Sequence, residues 1–204
     1  MIDKRVPVIV AVVLIALGIA WFWLTTNKEN STLNSTGGNM NTTLKLESSA
    51  FANGEFIGSK YTCDETNISP PLKITGVPTE TKSLVLVMDD PDVPKALRPD
   101  GVFDHWVVYN IPPTTTDFLE GKFEGTVGNN GSGKAQYTGP CPPTQYEPTT
   151  HRYFFRLYAT DIPALNFIKA PTKDELLTAI EGHVIAEVEL MGRYDRLKTI
   201  KEND

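Results

Sequence analysis

Ser83–Pro94, SLVLVMDDPDVP, is an apolar run cut off by acid and proline. Ser83 to Met88 is short and rich in Val and Leu, the composition of a buried strand. Asp89, Asp90 and Asp92 follow at once, with Pro91 and Pro94 between and after them. Proline cannot donate to a sheet ladder, so the strand is expected to stop here. Proline also fixes φ and pushes the preceding residue towards an extended conformation. Acids held on a stiff loop at the mouth of a buried strand have two readings. One is a solvated turn, because Asp and Pro are common turn residues. The other is a binding site, and the choice rests on the rest of the chain.

Outward from this run the pattern stays β-rich. His105–Ile111, HWVVYNI, predicts a second strand. Alternation puts His105, Val107 and Tyr109 on one face and Trp106, Val108 and Asn110 on the other. His151–Thr160, HRYFFRLYAT, predicts a third, with His151, Tyr153, Phe155 and Leu157 at alternate positions. Leu44–Leu46 and Glu55–Ile57 read as short opening strands around Asn53-Gly54, a hairpin signal. Thr172 to Glu175 forms a capping box after Pro171, and Leu176, Leu177 and Ile180 give the helix behind it an apolar stripe. His183–Met191 reads as the last strand. The expectation is a mainly β, antiparallel Greek-key-like sandwich with one or two short helices over residues 44–198, and 199–204 as a tail.

The amino terminus reads differently. Val6–Leu24 carries no charge or strongly polar side chain. As a helix it would be about 28 Å long at ~1.5 Å per residue, close to the thickness of a bilayer core. Lys4 and Arg5 precede it, and Trp21 and Trp23 sit at its far end. These features predict a cytoplasmic stub over 1–5, a transmembrane helix over 6–24 and a flexible polar tether over 25–43. The globular part would then lie outside the cytoplasm on a single-pass anchor. A cleaved signal peptide is the competing reading, against which no small-x-small site follows Leu24.

Charge and cysteine usage exclude some functions. From Asn30 onward, 16 Lys/Arg stand against 23 Asp/Glu, with no basic stripe, a poor match to nucleic acid. Cys63 and Cys141 are too few and too far apart for a zinc module. Pairing of the two, favoured outside the cytoplasm, and two free thiols are both open. Residues 114–150 form a long Gly- and Pro-rich segment, of the kind that is usually functional. Within it Gly128–Ala135 nearly spells a phosphate-binding loop. Ala135 stands where the magnesium-holding hydroxyl belongs, which rejects nucleotide binding there.

Judged alone, two Asp, two His and a Tyr near these strand ends suit a metal site, an acid–base pair or nothing at all. Their spacing lacks the short His repeats of metal sites. No Gly-x-Ser-x-Gly elbow supplies a nucleophile, Ser132 included. No catalytic residue, metal or cofactor is therefore assigned.

Three stretches in order, Asp90–Pro94, His105-Trp106, and Gly139–Pro143 (GPCPP) with His151-Arg152-Tyr153, resemble the phosphatidylethanolamine-binding protein family. The likeness is nearest its bacterial and archaeal, Raf-kinase-inhibitor-like branch. Tyr61–Asp64, Ile68–Leu72 and Gly182–Val184 share it, and it covers roughly Leu44 to Arg196. The resemblance implies a large antiparallel sheet packed on a smaller one, with an anion pocket at one edge. Carried over by motif, that pocket would use Asp90, Asp92, His105, Gly139, Cys141, His151 and Tyr153, with an aromatic neighbour at Phe103. Residues 144–150 are longer than in the family pattern and lack its glycine, so Tyr146 is a candidate cover for the rim.

The resemblance implies a binding domain for a phosphorylated small molecule or phospholipid head group, which the amino-terminal run would make membrane-tethered and extracytoplasmic. The alternative is an inhibitor or regulator of a protease or kinase through protein–protein contact. A homodimer and an unidentified protein target stay open as partners. In the pocket, both histidines are expected to donate a ring N–H to a carboxylate, with donors added by Tyr153 and the Gly139 loop. A carboxylate neighbour favours imidazolium, so binding should tighten as pH falls from ~8 to ~6.

Overall fold

A computed structural model describes residues 43–197. Eight strands form two antiparallel sheets: β1 (Lys45–Glu47), β2 (Leu72–Thr75), β3 (Ser83–Asp90), β4 (Phe103–Ile111), β5 (Asp117–Phe118), β6 (Thr126–Val127), β7 (Thr150–Thr160) and β8 (Val184–Asp195). The large sheet runs β6-β4-β3-β7-β8 and the small one β1-β2-β5. Between β7 and β8 in sequence lies an α-helix, α1 (Lys173–Ala179).

The central strand β3 is buried at all eight positions. Its side chains alternate between two cores. Leu84, Leu86 and Met88 join Trp106, Val108, Phe155 and Leu157, with Leu46, Leu72, Ile74 and Phe118 of the small sheet. Val85 and Val87 join Val107, Tyr109 and Tyr158, with Leu176 and Ile180 of the α1 segment. A strand covered on both faces reads as a continuous apolar run, and each fully buried Leu or Val contributes about 1.5–3 kcal/mol. The α1 start is fixed as expected: Thr172 Oγ1 accepts from Glu175 N, and the Glu175 carboxylate accepts from Thr172 N.

Four expectations are corrected. The strand does not stop at Met88 but carries Asp89 and Asp90 inside it. Asp89 is tolerated there because Arg156 (2.7 Å) and Lys173 (2.9 Å) pair it, and Lys173 also reaches Asp104 (2.6 Å). The segment around Asn53-Gly54 is no hairpin. Gly54 N donates to Met191 O and Ile57 N to Arg193 O, so it lies along the outer edge of β8. His105 does not share a face with Val107. Met88 pairs with Trp106 and Asp89 with Asp104, leaving His105 as the extra residue of a β-bulge. The bulge breaks the alternation and sets the His105 ring edge-on to Tyr153, 5.2 Å between centroids.

The fourth correction concerns the membrane. Among the described residues no helix is long and apolar enough to cross one, α1 having seven residues. Over the described residues the fold is the mainly β domain, with no transmembrane helix among them, and single-pass placement is withdrawn. Val6–Leu24, the tether and the tail over 199–204 lie outside the described residues. Asn130, which with Gly131 and Ser132 spells an Asn-x-Ser glycosylation sequon, is buried. Its amide accepts from Ser132 N and Lys134 N and donates to Gln136 O and Thr138 Oγ1.

Candidate functional site

A cavity of about 310 Å³ opens where β3 ends and β4 and β7 begin. Asp90, His105 and His151 form its strand-borne wall. Arg98 comes from the loop after β3, and Thr138–Pro143 contributes most of the opposite rim. Of the residues expected from sequence, Asp90, His105, Gly139, Cys141 and His151 line it.

Asp90 and His151 form a buried pair. His151 Nδ1 lies 2.7 Å from Asp90 Oδ2, with the side chains 1% and 4% exposed. Asp90 Oδ1 accepts from Asp92 N, which ties the carboxylate to the turn at Pro91. Next to a carboxylate Nδ1 acts as the donor, so Nε2 is the atom left to act. Nε2 is buried and has no hydrogen-bond partner. A buried polar atom without a partner costs about 1–3 kcal/mol, which marks the place where a ligand atom would be welcome.

His105 is held by another kind of partner. Its Nδ1 lies 2.6 Å from the Thr138 carbonyl, to which it donates, rather than from a carboxylate. Burial pushes its imidazole below the ordinary range, against the pull of the Thr138 carbonyl and of Asp90. The expected raised His pKa therefore does not hold for His105.

Two expected residues fall outside the cavity. Asp92 turns away to Arg152, accepting from its Nε (2.8 Å), Nη2 (2.6 Å) and backbone N (2.9 Å). Those bonds hold its carboxyl below the usual range, against a smaller opposing effect of burial. Tyr153 is fully buried behind His105. Its hydroxyl lies against the Asp90 carboxylate without a well-aligned hydrogen bond. Burial first, then that charge, pushes its pKa well above the ordinary value.

The loop over 138–143 is placed by the fold. Gly139 N donates to Asn67 Oδ1 at 2.8 Å, and Cys63 N donates to Pro140 O. A Cβ on Gly139 would strike the Tyr61 carbonyl and approach Asn67 Oδ1 to 2.7 Å, so glycine serves loop packing here. The Cys63–Cys141 disulfide bolts the same two segments together, resolving the open pairing. Gly139 N is thus not available to a ligand. Tyr146 does not line the cavity.

Sequence reasoning missed Arg98. Pro94 O accepts from both Leu97 N and Arg98 N, which folds the loop back over the cavity. The only sequence signal was general: an acid-rich wall that takes an anion needs a cation, and both Lys95 and Arg98 follow Pro94. Among the described residues, no group of three or more His, Cys, Asp and Glu is placed to hold a metal ion.

Comparison with known proteins places this geometry in a family. The family model described as phosphatidylethanolamine-binding protein matches residues 47–195. A UPF0098 protein of Chlamydia trachomatis serovar D is 44% identical over 154 residues, 75% of this chain and 99% of that one. A UPF0098 protein of Methanothermobacter thermautotrophicus is 46% identical over 160 residues, 75% of this chain and 99% of its own length. The crystal structure of a phosphatidylethanolamine-binding protein homologue from Chlamydia trachomatis covers 76% of this chain and 99% of its own, at 44% identity and a TM-score of 0.71. E. coli YbcL, described as a member of the mammalian family, has 26% identity and a TM-score of 0.66, covering 74% of this chain and 98% of its own. The matched span contains both sheets except the first residues of β1, together with every cavity-lining residue; the chain belongs to the phosphatidylethanolamine-binding protein family, in company with its bacterial and archaeal members.

Proposed function

We propose that the cavity binds the phosphate group of a small molecule or of a phospholipid head group, and that the domain works by capture rather than by catalysis. The observation that carries this reading is His151 Nε2, buried and unpartnered at the wall of the cavity while Asp90 fixes the other ring nitrogen. Phosphate supplies what such a wall lacks, namely strong acceptor oxygens and, in its monoprotonated form, a P–O–H donor. Asp90 orients His151, as carboxylates orient imidazoles elsewhere. His105 forms the adjacent wall, and Phe103, in edge contact with it, gives an apolar side. A cation on the ligand, such as ethanolamine's ammonium, suits the acidic and aromatic surroundings. The family name of the matching model agrees with this ligand chemistry.

Calorimetry with O-phosphoethanolamine tests it. Wild type should bind saturably, and His151→Ala should lose at least about tenfold in affinity. Equal affinity of the two proteins would refute the assignment.

A further inference from the structure

We propose that Arg98 anchors the bound anion and makes the cavity select phosphate monoesters over the diesters of lipid head groups; this rests on the phosphate reading above. The starting point is a shortage of donors. His105 Nδ1 is engaged by Thr138 O, and His151 Nδ1 by Asp90. On the facing loop, Thr138 N donates to His105 O and Gly139 N to Asn67 Oδ1. Pro140, Pro142 and Pro143 have no N–H. That leaves the Cys141 N–H and the Thr138 hydroxyl, whose oxygen accepts from Asn130 Nδ2, on this loop. The wall itself carries the Asp90 carboxylate, which repels an anion, and burial keeps His105 from offsetting it.

Among the described residues, Arg98 is the one Lys or Arg in the lining. Its guanidinium rests over the Phe103 ring, 5.4 Å from the centroid, a cation–π placement. One Nη1–H donates to Gly131 O at 3.1 Å. Its Nε makes no hydrogen bond, having only an ion pair with the exposed Asp100 at 3.5 Å. Nε is buried, but the side chain as a whole is 34% exposed, so the remaining Nη1 and Nη2 N–H groups are the donors it can present. A guanidinium takes two oxygens of a phosphate at once.

The fork sets the selectivity. A monoester has three terminal oxygens: two for Arg98 and one left to share a proton, taken up on binding, with His151 Nε2. A diester has two terminal oxygens and no P–O–H. It satisfies Arg98 or the wall, but not both. The charge points the same way, because a monoester above its second pKa of ~6 is a dianion and a diester is a monoanion.

Calorimetry of the full chain at about pH 7.5, above that second pKa of ~6, separates the two sources of phosphate. O-phosphoethanolamine is the monoester probe and glycerophosphoethanolamine the diester probe. The wild type is expected to prefer the monoester by about tenfold. Arg98→Met should bring the ratio close to one. Arg98→Lys, which keeps the charge without the fork, should give an intermediate ratio, and it carries the test alone if Arg98→Met does not fold. Binding of both probes with a ratio unchanged in the Arg98 variants, or a wild-type preference for the diester, overturns the inference and leaves the phosphate pocket standing. Binding of neither probe overturns both.

Discussion

His151 and Asp90 stand 61 residues apart in sequence, yet Nδ1 and Oδ2 meet at 2.7 Å inside the protein. The register of β3 and β7 explains why. Asp89 pairs with Phe154, so the next turn of the ladder brings the end of β3 beside the start of β7. Removing one partner of a buried pair leaves the other unpaired, at about 3–5 kcal/mol. His151→Ala is therefore expected to lower stability by roughly that amount as well as abolish binding. Asp90→Asn, which keeps an acceptor for His151, should cost less. Urea unfolding of the two variants checks the order, and an equal or reversed order contradicts it.

Burial holds the His105 imidazole below its ordinary range, so the folded protein resists a proton that the unfolded chain accepts near pH ~6.5. The associated stability is fully present above the unfolded pKa. It is lost as pH falls through the lower, folded value. Urea midpoints should decline from pH ~7 to ~5, and decline less in His105→Gln. Asp92, whose pKa Arg152 holds down, adds its own loss only below ~4. A midpoint that rises over the first interval contradicts the assignment.

The sequence made the strands legible because β3, β4 and β7 are apolar runs bounded by proline or glycine. It made α1 legible through its capping box. It could not show the bulge at His105, since an extra residue in a ladder has no local signature. It also could not show that Asp92 turns to Arg152, because both Asp90 and Asp92 carry the same motif. That choice is made by the β7 register, which brings Arg152 within reach. Arg98 was hidden for the opposite reason: it sits in a loop whose path is set by Pro94 O and by Phe103.

The Cys63–Cys141 disulfide closes a loop of sequence separation 78. Such closure restricts the unfolded chain and is worth typically ~2–4 kcal/mol. A Cys63→Ser/Cys141→Ser double variant should unfold at lower urea by a corresponding amount. An unchanged midpoint would mean that the hydrogen bonds of Gly139 and Cys63 carry the junction alone.

Lys173 bridges Asp89 and Asp104 on the sheet face away from the larger core, with a side chain only 12% exposed. Lys173→Met leaves Asp104 without that cation and should cost on the order of 3 kcal/mol. Phosphate binding should survive, because Lys173 does not line the cavity. Loss of binding in a folded Lys173→Met protein would contradict that separation.

The most direct test of a phosphate pocket between His105 and His151 uses the three histidines of the chain. Nitrogen-15 NMR of the side chains, followed during titration with O-phosphoethanolamine, reports each imidazole separately. His183 is the internal control: it is half exposed, paired with Asp161 and absent from the cavity. The expected result is a saturable shift of the His151 and His105 ring nitrogens, largest at His151 Nε2, with His183 unmoved. Shifts confined to His183, or none at saturating ligand, would contradict the pocket.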